Sequence, residues 1–150
     1  MCGCSFDNNK EHIHKELIIR RRAKYVSFDE LSAIIKQKEK NVCKIIKKEN
    51  SSATGFLCLI PYHDRLNLLP VLMTCNHILS KEDIMPGKEI QLLFNDKVSK
   101  TLKIDESRIL YTSEENEFDT TIIEIKDEDG FDINNMLEID YDIYKEVPLV

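Results

Sequence analysis

At 150 residues and 17.5 kDa, with 42% hydrophobic and 32% charged residues, the chain has the size and mix of one ordinary globular domain. Four Gly, four Pro and no Trp exclude collagen-like and linker-dominated architectures, and no repeat of solenoid period is present. The net charge of −6 conceals a gradient: residues 1–50 hold 12 Lys and Arg against 7 Asp and Glu, whereas residues 105–150 hold 3 against 15.

Residues 1–10 are polar and are expected to be a disordered N-terminus, followed by a helical segment over 11–40. Within that segment Leu17 and Ile18, then Leu31, Ile34 and Ile35, recur at helical spacing among charges. Ser27-Phe28-Asp29-Glu30 has the Ser-x-x-Glu form of a capping box, which predicts a helix over about 28–39. After Lys40 the period changes to two. Val42, Ile46 and their alternating neighbours predict a sheet strand, closed by the turn cluster Asn50-Ser51-Ser52. Strands are then predicted over 54–60 (stopped by Pro61), 68–74, 89–94, 98–104, 108–111 and 119–125. Residues 62–67 read as a polar loop, Pro86-Gly87 as a turn, and Glu114 to Glu117 as an acidic turn. Short strands at such regular spacing predict a mainly β fold, a six-stranded antiparallel barrel over about 41–126, with an acidic tail over 130–150.

Partners and location follow from the same inventory. The N-terminus lacks the apolar core of a signal peptide, and no run approaches the ~18 apolar residues of a membrane helix, so a cytoplasmic chain with reduced thiols is expected. Five Cys form no C-x-x-C pair; Cys43, Cys58 and Cys75 fall in apolar runs and read as small buried hydrophobes. Cys2 and Cys4, with Arg20-Arg21-Arg22 downstream, are the ingredients of S-acylation, but a membrane surface is not an expected partner. Nucleic acid is not expected either, because the basic stretch has no interleaved aromatics. The acidic C-terminal third reads as a solvated face. His12, His14 and His63 have no ligand companion at metal spacing, so neither a metal nor a cofactor is expected.

Three segments carry the chemistry. Thr54 to Ile60 is a strand opened by Gly55. Val71-Leu72-Met73-Thr74-Cys75-Asn76-His77 is an apolar strand ending in Thr-x-x-His. Phe118-Asp119-Thr120-Thr121-Ile122-Ile123 places an Asp, 42 positions after the His, at the head of an apolar strand. A general base needs a rigid perch at a strand end, and its orienting carboxylate needs partial burial with a partner. The order and spacing resemble the trypsin-like (chymotrypsin-fold) serine peptidases over about residues 41–129, the extent of the first of that family's two barrels. The resemblance implies His77 as general base and Asp119 as the group fixing its tautomer.

The departures are as informative. The family's Gly-x-Ser-Gly nucleophile loop and its oxyanion amides have no counterpart: no Ser or Cys follows Asp119, the last being Ser113 and Cys75. Ile78 stands where secreted members have Cys. The chain alone is therefore expected to be inactive. It reads either as the His/Asp half of a hydrolase completed by a second barrel, or as a catalytically dead module that binds a protein or peptide. An unrelated small β-barrel with incidental His and Asp is the remaining alternative.

Overall fold

The computed structural model describes residues 25–47, 52–114 and 116–140. The expected disordered N-terminus, Leu17 and Ile18, both acylation candidates and the last ten residues lie outside them. The chain is mainly β, with one helix.

Helix α1 (Phe28–Asn41) begins where the capping box requires. The Ser27 hydroxyl accepts from the Glu30 amide at 3.2 Å, and the Glu30 carboxylate accepts from the Ser27 amide at 2.7 Å. Asp29 and Glu30 in its first turn and Lys38 and Lys40 in its last complement the helix dipole. No turn separates it from the sheet, because Val42 is at once the C-cap and the first residue of β1 (Val42–Ile46).

The sheet continues through β2 (Ser52–Tyr62), β3 (Asp64–Thr74), β4 (Glu89–Phe94), β5 (Val98–Lys103), β6 (Leu110–Ser113) and β7 (Thr120–Glu124). Pairing runs β5-β4-β1-β2-β3-β7-β6, antiparallel throughout, and β8 (Leu137–Glu138) adds a parallel pairing with Cys58 and Leu59 of β2. The sheet curls into a half-barrel of seven strands, where a six-stranded barrel is expected from sequence. Among the described residues no pairing joins β5 to β6.

The inward positions make one core. Cys43, Ile45, Leu57, Leu72, Leu92, Leu102 and Ile123 come from the strands; Leu79 and Ile84 come from the connection after β3. Alternation is clean in β7, where Thr121 and Ile123 are buried and their neighbours are half exposed. Gly55 is needed for closeness rather than for an unusual φ: a Cβ there would stand 3.0 Å from Ile45 Cδ1 and 3.1 Å from Leu72 Cδ1.

Three sequence expectations are corrected. Residues 62–67 are not a loop: β2 and β3 form a hairpin turning at His63, whose φ is +65°, with a register shift at Pro61/Tyr62. Pro61 does not end β2, because it lies at the distal end of the hairpin beside that irregularity, where a missing donor is tolerated. The Asp64 carboxylate accepts from the Leu66 and Asn67 amides, both at 2.8 Å, and steadies the start of β3. The strand read over 108–111 starts later, at Leu110, because Arg108 turns its guanidinium inward, where only 2% of the side chain is exposed.

The acidic segment after β7 is bound to the sheet by more than β8. Met136 is buried, and Phe131 and Ile133 pack on the core. Asn41 donates to the Asn135 carbonyl at 2.6 Å, tying this segment to the end of α1.

Candidate functional site

His77 stands just beyond the end of β3, on a turn fastened at both ends. Before it, the Thr74 hydroxyl donates to the Thr54 carbonyl at 3.0 Å, joining the ends of β3 and β2. After it, the Leu79 amide donates back to the Cys75 carbonyl at 3.1 Å and the Leu79 side chain enters the core. The Leu79 carbonyl accepts the hydroxyl of fully buried Thr121 at 2.6 Å. Thr121 lies 3.0 Å from Thr112 across the β6–β7 pair, and Thr112 accepts Asn76 Nδ2 at 2.5 Å. A chain of hydroxyls thus ties the His77 turn to the strand that follows Asp119.

Asp119 occupies a left-handed conformation, φ +46°, at the last residue before β7. Asp tolerates this region better than most side chains. Its amide donates to the Glu114 carbonyl at 3.0 Å, while Phe118 N donates to the Ser113 hydroxyl at 3.3 Å. Held so, the carboxylate reaches across to the other turn. Oδ1 accepts the backbone N–H of His77 at 3.0 Å, and Oδ2 lies 2.6 Å from His77 Nδ1.

The electrostatics agree with that geometry. The His77 amide does most to hold the Asp119 carboxyl below the usual carboxylate range; partial burial opposes it, and the imidazole adds to the lowering. An ionised Asp119 accepts at Nδ1, so the Nδ1 proton is fixed there and Nε2 is left as the free nitrogen. The imidazole is about half exposed and Asp119 about one quarter.

The two residues singled out from sequence, His77 and Asp119, are therefore brought together, with Asp119 on the Nδ1 side. Ser80 is not part of the arrangement, since its hydroxyl donates to Asp83 at 2.9 Å. Ser113, the last serine, is buried and donates to Glu117. A cleft of about 420 Å³ between α1, β1 and the β4–β5 turn has neither His77 nor Asp119 in its lining.

Sequence reasoning overlooked one neighbour. Cys75 is exposed, unlike buried Cys43 and Cys58, because β3 ends at Thr74 and the next residue is already in the turn. Its place in an apolar run reads from sequence as that of a small buried hydrophobe, which the structure corrects. Its sulfur, a His77 ring nitrogen and an Asp119 oxygen all lie within 4.8 Å of one another. Proximity in sequence, Cys-x-His, was the available signal.

Thiol chemistry checks this division. Burial pushes the Cys43 thiol up to about 12 and the Cys58 thiol up to about 11. Iodoacetamide on the folded, reduced chain is expected to alkylate Cys75 at least about tenfold faster than Cys43 or Cys58. Peptide mass spectrometry reads the order, and equal rates at the three positions would contradict it.

No family model, no curated protein and no solved structure matches the chain.

Proposed function

We propose that this chain carries the general-base half of a trypsin-like hydrolytic site, with His77 as the base and Asp119 as its orienter. The observation that supports the reading is the double hold of Asp119 on His77, ring nitrogen at 2.6 Å and backbone amide at 3.0 Å. In a serine peptidase the carboxylate fixes the tautomer and stabilises the imidazolium, while Nε2 takes the nucleophile's proton. The half-barrel is, in this reading, the first barrel of a two-barrel enzyme. Acyl transfer would draw its nucleophile and oxyanion donors from a second barrel, because residues 120–150 contain no Ser or Cys. The substrate class is a peptide or protein.

A second reading, a catalytically inactive module that binds a protein, is favoured by one observation. Phe118, next to Asp119, is 76% exposed, and Tyr111 on β6 is about half exposed. A large aromatic left bare next to Asp119, with a second on β6, suits packing against a partner.

Two measurements test the proposal. Proton NMR of the metal-free chain is expected to show a far-downfield Nδ1–H resonance of His77 that is lost in Asp119→Ala. Its absence from the parent chain would overturn the general-base reading. Purified chain is expected to resist fluorophosphonate labelling and to leave peptide esters uncleaved, since a serine needs both base and oxyanion donors to react. Labelling abolished by both Ser80→Ala and His77→Ala would reveal an unexpected dyad. Ester cleavage that appears on adding a Ser-bearing second barrel, and only with His77 intact, would select the enzyme over the binding module.

A further inference from the structure

The Cys75 thiol has no role in the base pair, yet it lies beside it. Thiolate, imidazole and carboxylate are together the mixed S, N and O donor set that suits Zn²⁺ and its borderline relatives. A set with one carboxylate and a sulfur is a poor one for Ca²⁺ or Mg²⁺, which take oxygen. The three donor atoms lie within 4.8 Å of one another, and Cys75 and His77 are exposed, so a hydrated cation has access. Around tetrahedral zinc, with sulfur at ~2.3 Å and nitrogen or oxygen at ~2.0–2.2 Å, donors stand roughly 3.2–3.8 Å apart. Small rotations of surface side chains span the difference, because the backbone turns that carry them are already fastened to the core.

We propose that Cys75, His77 and Asp119 form a three-donor site for a divalent cation of the Zn²⁺ type, with water completing the coordination. On binding, the Cys75 thiol gives its proton to solvent and the sulfur becomes the strongest ligand. Metal at Nε2 occupies the nitrogen a general base needs; metal at Nδ1 displaces the proton that Asp119 accepts. In both cases His77 can no longer shuttle a proton, so the cation switches the site off. That consequence rests on the general-base reading, whereas the metal site itself does not.

Cobalt tests it, because Co²⁺ substitutes for zinc and reports its ligands by colour. Titrating the full, reduced chain with CoCl₂ is expected to give one tight equivalent, tetrahedral ligand-field bands and a near-ultraviolet thiolate-to-cobalt charge-transfer band. Cys75→Ser should abolish that band, and His77→Gln and Asp119→Asn should each weaken binding at least about tenfold. A Cys2→Ser, Cys4→Ser chain should keep the band, which separates this site from the N-terminal thiols. Circular dichroism of each variant checks that folding is retained. The proposal is overturned by no charge-transfer band in the parent chain, by a band that survives Cys75→Ser, or by folded His77 and Asp119 variants that bind cobalt as tightly as the parent. The downfield Nδ1–H resonance of the metal-free chain keeps the two ideas apart: its presence without cobalt binding removes the metal site alone, and cobalt binding without it removes the general-base reading alone.

Discussion

Asp129→Ala is expected to destabilise the fold by about 3 kcal/mol, the cost of stripping the bidentate partner from a buried cation that keeps only the Asp105 carboxylate at 3.7 Å. Arg108 and Asp129 keep only 2% and 6% of their side-chain surface exposed. Their pairing is bidentate, Nη1 to Oδ2 at 2.7 Å and Nη2 to Oδ1 at 3.0 Å. Nη1 also donates to the Glu124 carbonyl at 2.6 Å, so the guanidinium closes the end of β7 onto the turn that follows it. Asp129 does more than balance charge, since its Oδ2 also accepts the Lys126 amide at 2.7 Å. Removing it leaves the buried guanidinium with only the Glu124 carbonyl and the more distant Asp105 carboxylate, while Nε already has no partner. Urea unfolding measures the loss, and a drop below about 1 kcal/mol would mean that water reaches Arg108 in solution. In an Arg108→Ala background the same Asp129 change should cost much less, because the orphaned charge is gone.

Leu72→Ala is expected to cost about 2–5 kcal/mol, with the unfolding slope in urea unchanged. Leu72 is 0% exposed in the middle of β3, paired on one side with Leu57 and on the other with Ile123. One of its methyl groups lies against Gly55, where no side chain fills the space. The truncation therefore opens a void under three strands at once. Leu66→Ala on the same strand is the control: at 92% exposed it should shift stability by no more than about 0.5 kcal/mol. Comparable losses from the two would show that the β3 core is not packed as described.

The parts of the fold governed by local rules were legible in the sequence. Ser27 and Glu30 announced the helix start because the capping box is a reciprocal contact within four residues. The switch from helical to alternating period at Lys40 announced β1, and the structure makes that switch without a linker. His77 and Asp119 were legible as a pair because their order and strand-end placement resemble the trypsin-like pattern. Long-range requirements were not legible. Nothing near Arg108 says that its charge will be met from Asp129, 21 positions on, and that meeting delays β6. The weakly patterned acidic segment gave no sign that Met136 would be buried, since its partners lie on distant strands. Cys75 escapes its expected burial for a simpler reason: the apolar run outlasts the strand, and β3 stops one residue before it.

Among the described residues, the two end strands of the sheet carry different protection against growth. Exposed backbone along a last strand is a template for a foreign strand, and lysines are a common means of repelling one. The β5 rim is guarded in this way by Lys103, with Lys97 just before it, whereas the Lys100 ammonium is drawn to the Gly130 carbonyl and the Phe131 ring. The β6 rim, Leu-Tyr-Thr-Ser, has no charge at all and relies on being only four residues long. Intermolecular strand addition in crowded solution should therefore start at β6, and a lysine in place of Tyr111 would arm that rim as the other is armed already.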